Sequence, residues 1–294
     1  TFTAVDLSRL PWPGFIEVPN FETILAGLIV RAKSVMPDFE ARLSDPGTKL
    51  LELFAYEIQG VYQKVNDAAR AVMPAYAVGA DLDNIAALFF GVQRFEITPA
   101  DTVLGIPAVM ESDTDLRRRM VLGPEGYSVA GPEGAYTSIA LSADPDVLDA
   151  SATMPSPGHV LISVLSRTGD GTASAELLAT VQAYCSDETR RPLTDYVTVQ
   201  SAEILFYAVN ATLTTFSGPD GGVVLAAAKA SLAAYIEESH RLGRDITRSG
   251  LFAALHVEGV QNVVLHSPAA DLVVSRTQAA HCTATNIAYA GVGE

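Results

Sequence analysis

Five histidines and two cysteines are the side chains of this sequence that most often bind metal ions or act as nucleophiles. The histidines are widely separated, and none forms a known metal motif with another ligand residue three or four positions away. Cys185 and Cys282 lie far apart and match neither a zinc spacing nor a redox spacing. The sequence therefore predicts no metal site, no bound cofactor and no disulfide framework.

Two glycine-rich turns, at residues 169–171 and 218–222, precede predicted helices. Such turns can hold a phosphate on the amide groups of a helix N-terminus. Neither has the spacing of a known phosphate-binding motif, and each contains an aspartate, Asp170 or Asp220, that repels an anion. We interpret both as strand-to-helix turns. A small-ligand site at these turns and an enzyme that uses Asp170, Asp195 or Asp220 are the alternatives.

Composition and charge exclude two classes of partner. Apolar residues make up 49% of the chain and charged residues 18%, and the mean hydropathy is +0.24. No segment approaches the roughly 18 uninterrupted apolar residues of a membrane span. The net charge of −15 disfavours binding to the phosphates of nucleic acids. We therefore predict no nucleic-acid and no membrane partner, and expect apolar surface to be buried against other subunits.

Residues 36–94 carry the strongest pattern, which predicts two helices joined by a short elbow. Asp45 and Pro46 suit the start of the first helix. Asp81 is the predicted cap of the second, and Gly91 suits its end. We expect the apolar stripe of the first helix to be buried against two neighbouring helices, predicted at Phe21–Val35 and Leu82–Phe89. This stripe comprises Leu50, Phe54, Ile58, Val61 and Val65.

A second apolar strip lies on nearly the opposite side of the same helix and has no obvious partner within the chain. It consists of Leu53, Tyr56 and Gly60. Glycine inside a helix costs about 1 kcal/mol relative to alanine, so close approach by another helix is a reason to keep it. We predict that this strip docks another chain, with Trp12 and Phe15 of the proline-rich N-terminal arm as further anchors. The alternative is a set of scattered surface residues.

The remaining pattern predicts an α+β fold, in which a helical N-terminal part with a long helical hairpin precedes small α/β-sandwich units. We expect an extended arm at 1–20, a helical bundle segment at 21–94, a mixed linker or small domain at 95–146 and an α+β region at 147–294. The last region can divide further into 147–202 and 203–294. Within it, Asp245 is the predicted cap of a helix from Ile246 to Leu255. Val260–His266 and Asp271–Ser275 are predicted to pair as a hairpin.

Short segments along nearly the whole chain follow a characteristic order. The most specific run from Tyr76 to Asp83 and from Arg191 to Asp195. The others include Pro19-Asn20-Phe21-Glu22, Ser44-Asp45-Pro46, Leu50-Leu51-Glu52, Asn66-Asp67-Ala68, Gly91-Val92-Gln93-Arg94, Ala130-Gly131-Pro132-Glu133, Leu242-Gly243-Arg244-Asp245-Ile246 and Gly259-Val260-Gln261. In this order the segments resemble the baseplate assembly protein J family.

The resemblance implies a structural role in the baseplate of a contractile tail, in a bacteriophage or in an R-type pyocin. Paired copies would join a second wedge protein through a helical bundle, and six wedges would close a ring around the tail hub and contact the sheath. Assembly would take place in the bacterial cytoplasm, before the protein becomes part of the particle. The family has no catalytic residues to transfer to this sequence, which implies that the chain is not an enzyme.

Overall fold

The computed structural model describes residues 7, 10, 11, 18–128, 130–218 and 220–293, which divide into two compact units. The residues up to Gln93 form a helical unit, and those from Arg94 onward form a larger unit that contains the sheets. The predicted α+β class with a helical N-terminal part is confirmed. The predicted division at residues 20, 94, 146 and 202 stays a prediction.

Local signals set the ends of the three helices of the helical unit. These are α1 (Phe21–Val35), α2 (Pro46–Ala71) and α3 (Gly79–Phe90). The Asp45 carboxylate accepts a hydrogen bond from the Gly47 amide at 2.7 Å, which caps α2 as predicted. Gly91, with a φ of 66°, ends α3 in the left-handed conformation, also as predicted. The predicted cap of α3 at Asp81 is wrong, because the helix begins two residues earlier, after Val78.

The first half of the larger unit builds a three-stranded sheet with a helix on it. A short hairpin, β1 (Glu96–Thr98) and β2 (Val109–Met110), leads into α4 (Asp113–Leu122) and α5 (Glu133–Leu141). The sheet has the order β3-β4-β5, with β3 (Val147–Ser156) antiparallel to β4 (His159–Ser166) and β5 (Tyr196–Ser201) parallel to it. The connection from β4 to β5 contains α6 (Ala175–Cys185). Helix α5 packs on β3, so residues on the two sides of the predicted boundary at 146 are in contact.

The second half of the larger unit is a sheet covered by two helices. Its central strand β6 (Glu203–Thr215) lies between β7 (Val260–Ser267), which is antiparallel to it, and β8 (Gln278–Val292), which is parallel. The helices α7 (Gly221–Ser239) and α8 (Arg248–Leu255) cover one face. Inward residues of β6 alternate with outward ones and meet helix side chains in the core, which includes Val209, Leu213, Ala228, Leu232, Leu251 and Leu255.

Buried carboxylates join the two sheets of the larger unit. Asp115 on α4 accepts hydrogen bonds from Arg167 after β4 at 2.6 Å and from Arg241 after α7 at 2.9 Å. Asp149 on β3 accepts from Arg118 at 2.5 Å and from the Leu242 amide at 3.0 Å. Burial lowers the pKa of the Arg241 guanidinium, and the Asp115 charge opposes that effect. Each carboxylate therefore ties the first sheet and α4 to the segment that follows α7.

Two local predictions near the end of the chain are wrong. Asp245 does not cap α8; its carboxylate accepts from the Val274 amide at 2.7 Å, while Thr247 accepts from the Gly250 amide and caps the helix. The predicted hairpin of 260–266 with 271–275 does not form. β7 pairs with β6 instead, and the third strand of the sheet is β8, which lies on the other side of β6. In both cases a partner distant in sequence outcompetes a local one, because its contacts form only in the folded chain.

The short hairpin of β1 and β2 is anchored by a buried ion pair. The Arg119 guanidinium donates to both oxygens of Glu111, at 2.7 and 2.6 Å, and its carbon lies 3.8 Å from the centre of the Phe95 ring. The Glu111 side chain is completely buried and that of Arg119 is 8% exposed. Removing one member of such a pair leaves an uncompensated charge in the interior.

Arg119→Ala is expected to destabilise the larger unit by about 3–5 kcal/mol, because it leaves the Glu111 carboxylate buried without its partner. Chemical denaturation followed by circular dichroism measures this loss. As a control, Lys49→Ala breaks the exposed pair of Lys49 with Glu52 and is expected to cost at most about 1 kcal/mol. Equal effects of the two substitutions would show that the Glu111–Arg119 pair does not anchor the unit.

Candidate partner interface

The longest helix turns its small and polar residues toward the interior of the helical unit. The buried residues of α2 are Thr48, Ala55 and Asn66, which share one face of the helix, and Ala55 is fully buried. The neighbouring helix α1 packs against α2 but has no buried residue of its own. Alanine, threonine and asparagine bury little apolar surface, so this packing leaves most of the apolar residues of α2 unused.

The predicted burial of the apolar stripe within the chain is wrong for four of its five residues, and the fifth, Ile58, is half-buried. Leu50, Phe54, Val61 and Val65 are between 43% and 59% exposed. The physical reason is one of size: α2 has 26 residues and is about 39 Å long, whereas α1 has 15 residues and is about 22 Å long. A partner so much shorter, on one side only, leaves the opposite side of α2 uncovered.

The predicted docking residues fall partly beside this exposed stripe. Leu53 is 54% exposed, and a Cβ added to Gly60 would meet no atom within 4 Å. Tyr56 was expected to lack a partner within the chain, which is wrong, because its ring lies 4.3 Å from the Phe21 ring of α1. Trp12 and Phe15 lie outside the described residues. The exposure of Leu53 and Gly60 is compatible with docking, and their role in docking stays a proposal.

We define the α2 apolar face as Leu50, Leu53, Phe54, Val61 and Val65. At about 100° per residue these five side chains fall within an arc of about 120°, the width expected of a face that packs on another helix. Each is about half exposed, so completing its burial would contribute roughly 1 kcal/mol. A contiguous face of this kind on a helix surface is typical of an interaction site.

Two further exposed apolar residues lie on α3. Leu88 and Phe89 are 77% and 71% exposed, whereas Leu82 and Ile85 of the same helix are buried. The exposure of these two residues and of the α2 stripe could not be predicted from periodicity, which shows an apolar face but not whether the chain itself covers it. The first 94 residues do contain a signal, since they have more apolar faces than their three helices can bury against one another.

The three aspartates considered as catalytic candidates each accept a hydrogen bond in a different part of the larger unit. Asp170 accepts from the Thr172 amide at 3.0 Å, and its hydrogen bonds with the Thr172 amide and hydroxyl lower the pKa of the Asp170 carboxyl. Asp195 accepts from the Tyr136 hydroxyl at 2.8 Å, and Asp220 accepts from the Gly222 amide at 2.8 Å to cap α7. The structure does not bring these carboxylates to one site. Each has a conformational role that accounts for its residue type.

Histidines and cysteines take part in packing. The rings of His240 and His281 lie 5.4 Å apart, a contact that sequence spacing did not indicate. Burial lowers the pKa of His240, which shares a 2.7 Å hydrogen bond with the Ala280 carbonyl. Burial also raises the pKa of the Cys185 thiol to about 12, which leaves it unreactive. Among the described residues no group of three or more His, Cys, Asp or Glu side chains is placed to hold a metal ion.

None of the helices in the described part of the chain is both long enough and apolar enough to cross a bilayer.

Comparison with known proteins gives consistent matches along the chain. Three domain families match in order: the Baseplate J-like N-terminal domain at residues 44–101, the Baseplate J-like central domain at 128–201 and the Baseplate J-like protein C-terminal domain at 207–288. Baseplate protein J of Escherichia phage P2 is 48% identical over 300 residues, which cover 99% of each protein.

Among solved structures, a chain of the 6-fold symmetrised cryo-EM baseplate of the anti-feeding prophage resembles this one with a TM-score of 0.41. Its sequence identity is 15%, and the match covers 60% of this chain and 44% of that chain. This distant likeness adds nothing to the sequence matches. With 48% identity over its whole length and three matching domains in order, the chain belongs to the Baseplate J-like family and is a structural baseplate protein.

Proposed function

We propose that this protein is part of the wedge of a contractile-tail baseplate and joins its partners there through a helical bundle. The α2 apolar face carries the proposal, because large apolar side chains on one face of a helix, each about half exposed, are fully buried only when another helix covers them. The relationship to a phage baseplate protein supports the same role. The partners at this face would be a second copy of the chain and a second wedge protein.

We also propose a place for the protein in the particle. Neighbouring wedges would be linked into a ring around the tail hub and below the sheath, after assembly in the bacterial cytoplasm. The role would need no catalytic step. In support, the aspartates that could serve an enzyme, Asp170, Asp195 and Asp220, each already accept a hydrogen bond within the chain: Asp170 and Asp220 from the amide two residues on, and Asp195 from the Tyr136 hydroxyl.

Leu53→Glu and Phe54→Glu are each expected to leave the isolated chain folded but to abolish its co-purification with the wedge partner. Both side chains are 54% exposed, so glutamate is tolerated in the free chain. A carboxylate on the α2 apolar face would be buried without a counter-charge in the bundle, which costs more than the lost apolar contact. The measurements are a thermal midpoint within a few degrees of the parent and affinity capture of the assembled wedge.

Two matched variants control this experiment. Ala55→Glu places the same carboxylate on the buried face of α2 and is expected to unfold the helical unit. Gln63→Glu places it on an exposed position outside the α2 apolar face and is expected to change neither folding nor capture. Intact particles formed by both Leu53→Glu and Phe54→Glu would move the docking face elsewhere.

Asp170→Asn, Asp195→Asn and Asp220→Asn, made singly, are expected to leave particle assembly and infection or killing nearly unchanged. Asparagine keeps a side-chain oxygen that can accept the same hydrogen bonds. It removes the charge and the titratable group that acid–base catalysis requires. Counting assembled particles by electron microscopy and titrating their activity gives the result. Normal particles without activity would point to a catalytic aspartate.

A further inference from the structure

Strand β5 is an outer strand of the first sheet. The order of that sheet is β3-β4-β5, so one side of β5 pairs with β4 and the other side, the β5 edge, has no neighbouring strand in the sheet. None of its six residues, Tyr196–Ser201, is Asp, Glu, Lys, Arg or Pro. Edge strands normally carry such residues, because they prevent the unpaired backbone groups from binding another strand. The sequence of β5 supplies no such protection.

The backbone groups that point out from the β5 edge belong to alternate residues. The Tyr196 amide points toward β4, since it donates to the carbonyl of Gly158, the residue before β4, at 2.7 Å. Backbone groups of successive residues in a strand point to opposite sides of it. The amides and carbonyls of Val197 and Val199 therefore point outward, where an added strand would bind them.

The side chain of Gln182 on α6 binds two of these outward groups. Its Nε2 donates to the Val197 carbonyl at 2.9 Å, and its Oε1 accepts from the Val199 amide at 2.8 Å. Nε2 also donates to the Ser186 hydroxyl, one turn farther along the chain, at 2.7 Å. The three bonds fix the direction of the side-chain amide, because its nitrogen can only donate and its oxygen can only accept.

The Gln182 amide takes the place of one residue of an additional parallel strand. In a parallel ladder, a residue donates to the residue before the one that it faces and accepts from the residue after it. A residue that faced Thr198 would thus bind the Val197 carbonyl and the Val199 amide. These are the two groups that Gln182 already binds. An added strand and the Gln182 side chain therefore exclude each other at the β5 edge.

The packing of α6 holds Gln182 in this position. The helix packs on β5 and buries Leu177, Val181 and Cys185. Gln182 follows Val181 and is half-buried. A glutamine free in solvent would lose its rotamer freedom on binding the strand, whereas here burial and the bond to Ser186 already restrict the side chain. The bonds to the β5 edge therefore persist as long as α6 stays on the sheet.

We propose that Gln182 closes the β5 edge to other strands and so confines the assembly of this protein to its other surfaces. Two observations together support this: an edge strand without charges or proline, and one side chain that binds outward groups on both sides of Thr198. A protein that assembles with other subunits needs wrong pairings to be disfavoured as well as right ones favoured. The inference concerns the larger unit and does not depend on the α2 apolar face.

Hydrogen exchange of the full chain, resolved by residue, tests the bond to the edge. The Val199 amide is expected to be protected in the parent although it points outward. Gln182→Ala is expected to raise its exchange rate about tenfold, because one hydrogen bond is lost. Gln200→Ala is the matched control: Gln200 lies on β5 and donates to the Ser163 hydroxyl on the face of the sheet, so its loss is expected to leave the Val199 rate unchanged.

Sedimentation velocity tests the exclusion of other strands. The parent chain, from about 1 to about 200 µM, gives the reference distribution of species. Gln182→Ala is expected to add larger species, because uncovered edges can pair with one another. The double variant Gln182→Ala/Thr198→Lys is expected to return to the parent distribution, since Thr198 is exposed and lysine on an edge strand prevents pairing. Circular dichroism verifies that the variants are folded.

Four results would overturn the proposal. A Val199 amide that exchanges in the parent as fast as in an unfolded chain would show that the edge is not bonded, and this result needs no variant. Equal effects of Gln182→Ala and Gln200→Ala on the Val199 rate would show a general loss of stability. A parent-like distribution for Gln182→Ala would show that its removal does not open the edge. A double variant that associates like Gln182→Ala would place the new contact outside β5.

Discussion

The packing of α2 constrains the helical unit more than any other interaction. The buried residues of the helix are Thr48, Ala55 and Asn66, which are small or polar, and the Tyr56 ring contacts the Phe21 ring of α1. The larger apolar side chains remain outside, where water contacts about half of each. In the isolated chain this apolar surface is in contact with water, which is unfavourable. Association with another chain would bury it. For this reason we propose that helices of other chains cover the α2 apolar face.

The larger unit contains two small three-stranded sheets, β3-β4-β5 and β7-β6-β8, that pack together. Among the described residues a small apolar cluster that contains Leu165, Ala202 and Ala279 joins them. Charged hydrogen bonds supplement it: Asp115 and Asp149 each accept from two groups on separate segments. Bonds to charged groups are stronger than neutral ones and have defined geometry. They fix the orientation of the two sheets with little apolar surface.

The sequence by itself determined those features whose physical cause spans a few residues. Asp45 and Pro46 start α2 and Gly91 ends α3 because capping involves only the adjacent turn of backbone. The alternation of buried residues along the second half of β6 has an equally local cause, because successive side chains of a strand point to opposite faces. The α+β class follows from such local patterns, and the family follows from the order of short segments along the chain.

Tertiary structure decided which patterns found partners. The Asp245 carboxylate accepts from the amide of Val274 instead of capping α8, and β7 pairs with β6 instead of with residues 271–275. The stripe of Leu50, Phe54, Val61 and Val65 was visible in the sequence, but its position outside the unit was not. Periodicity shows that a helix has an apolar face. Whether that face is buried within the chain or left for another depends on how many neighbours surround the helix and how long they are.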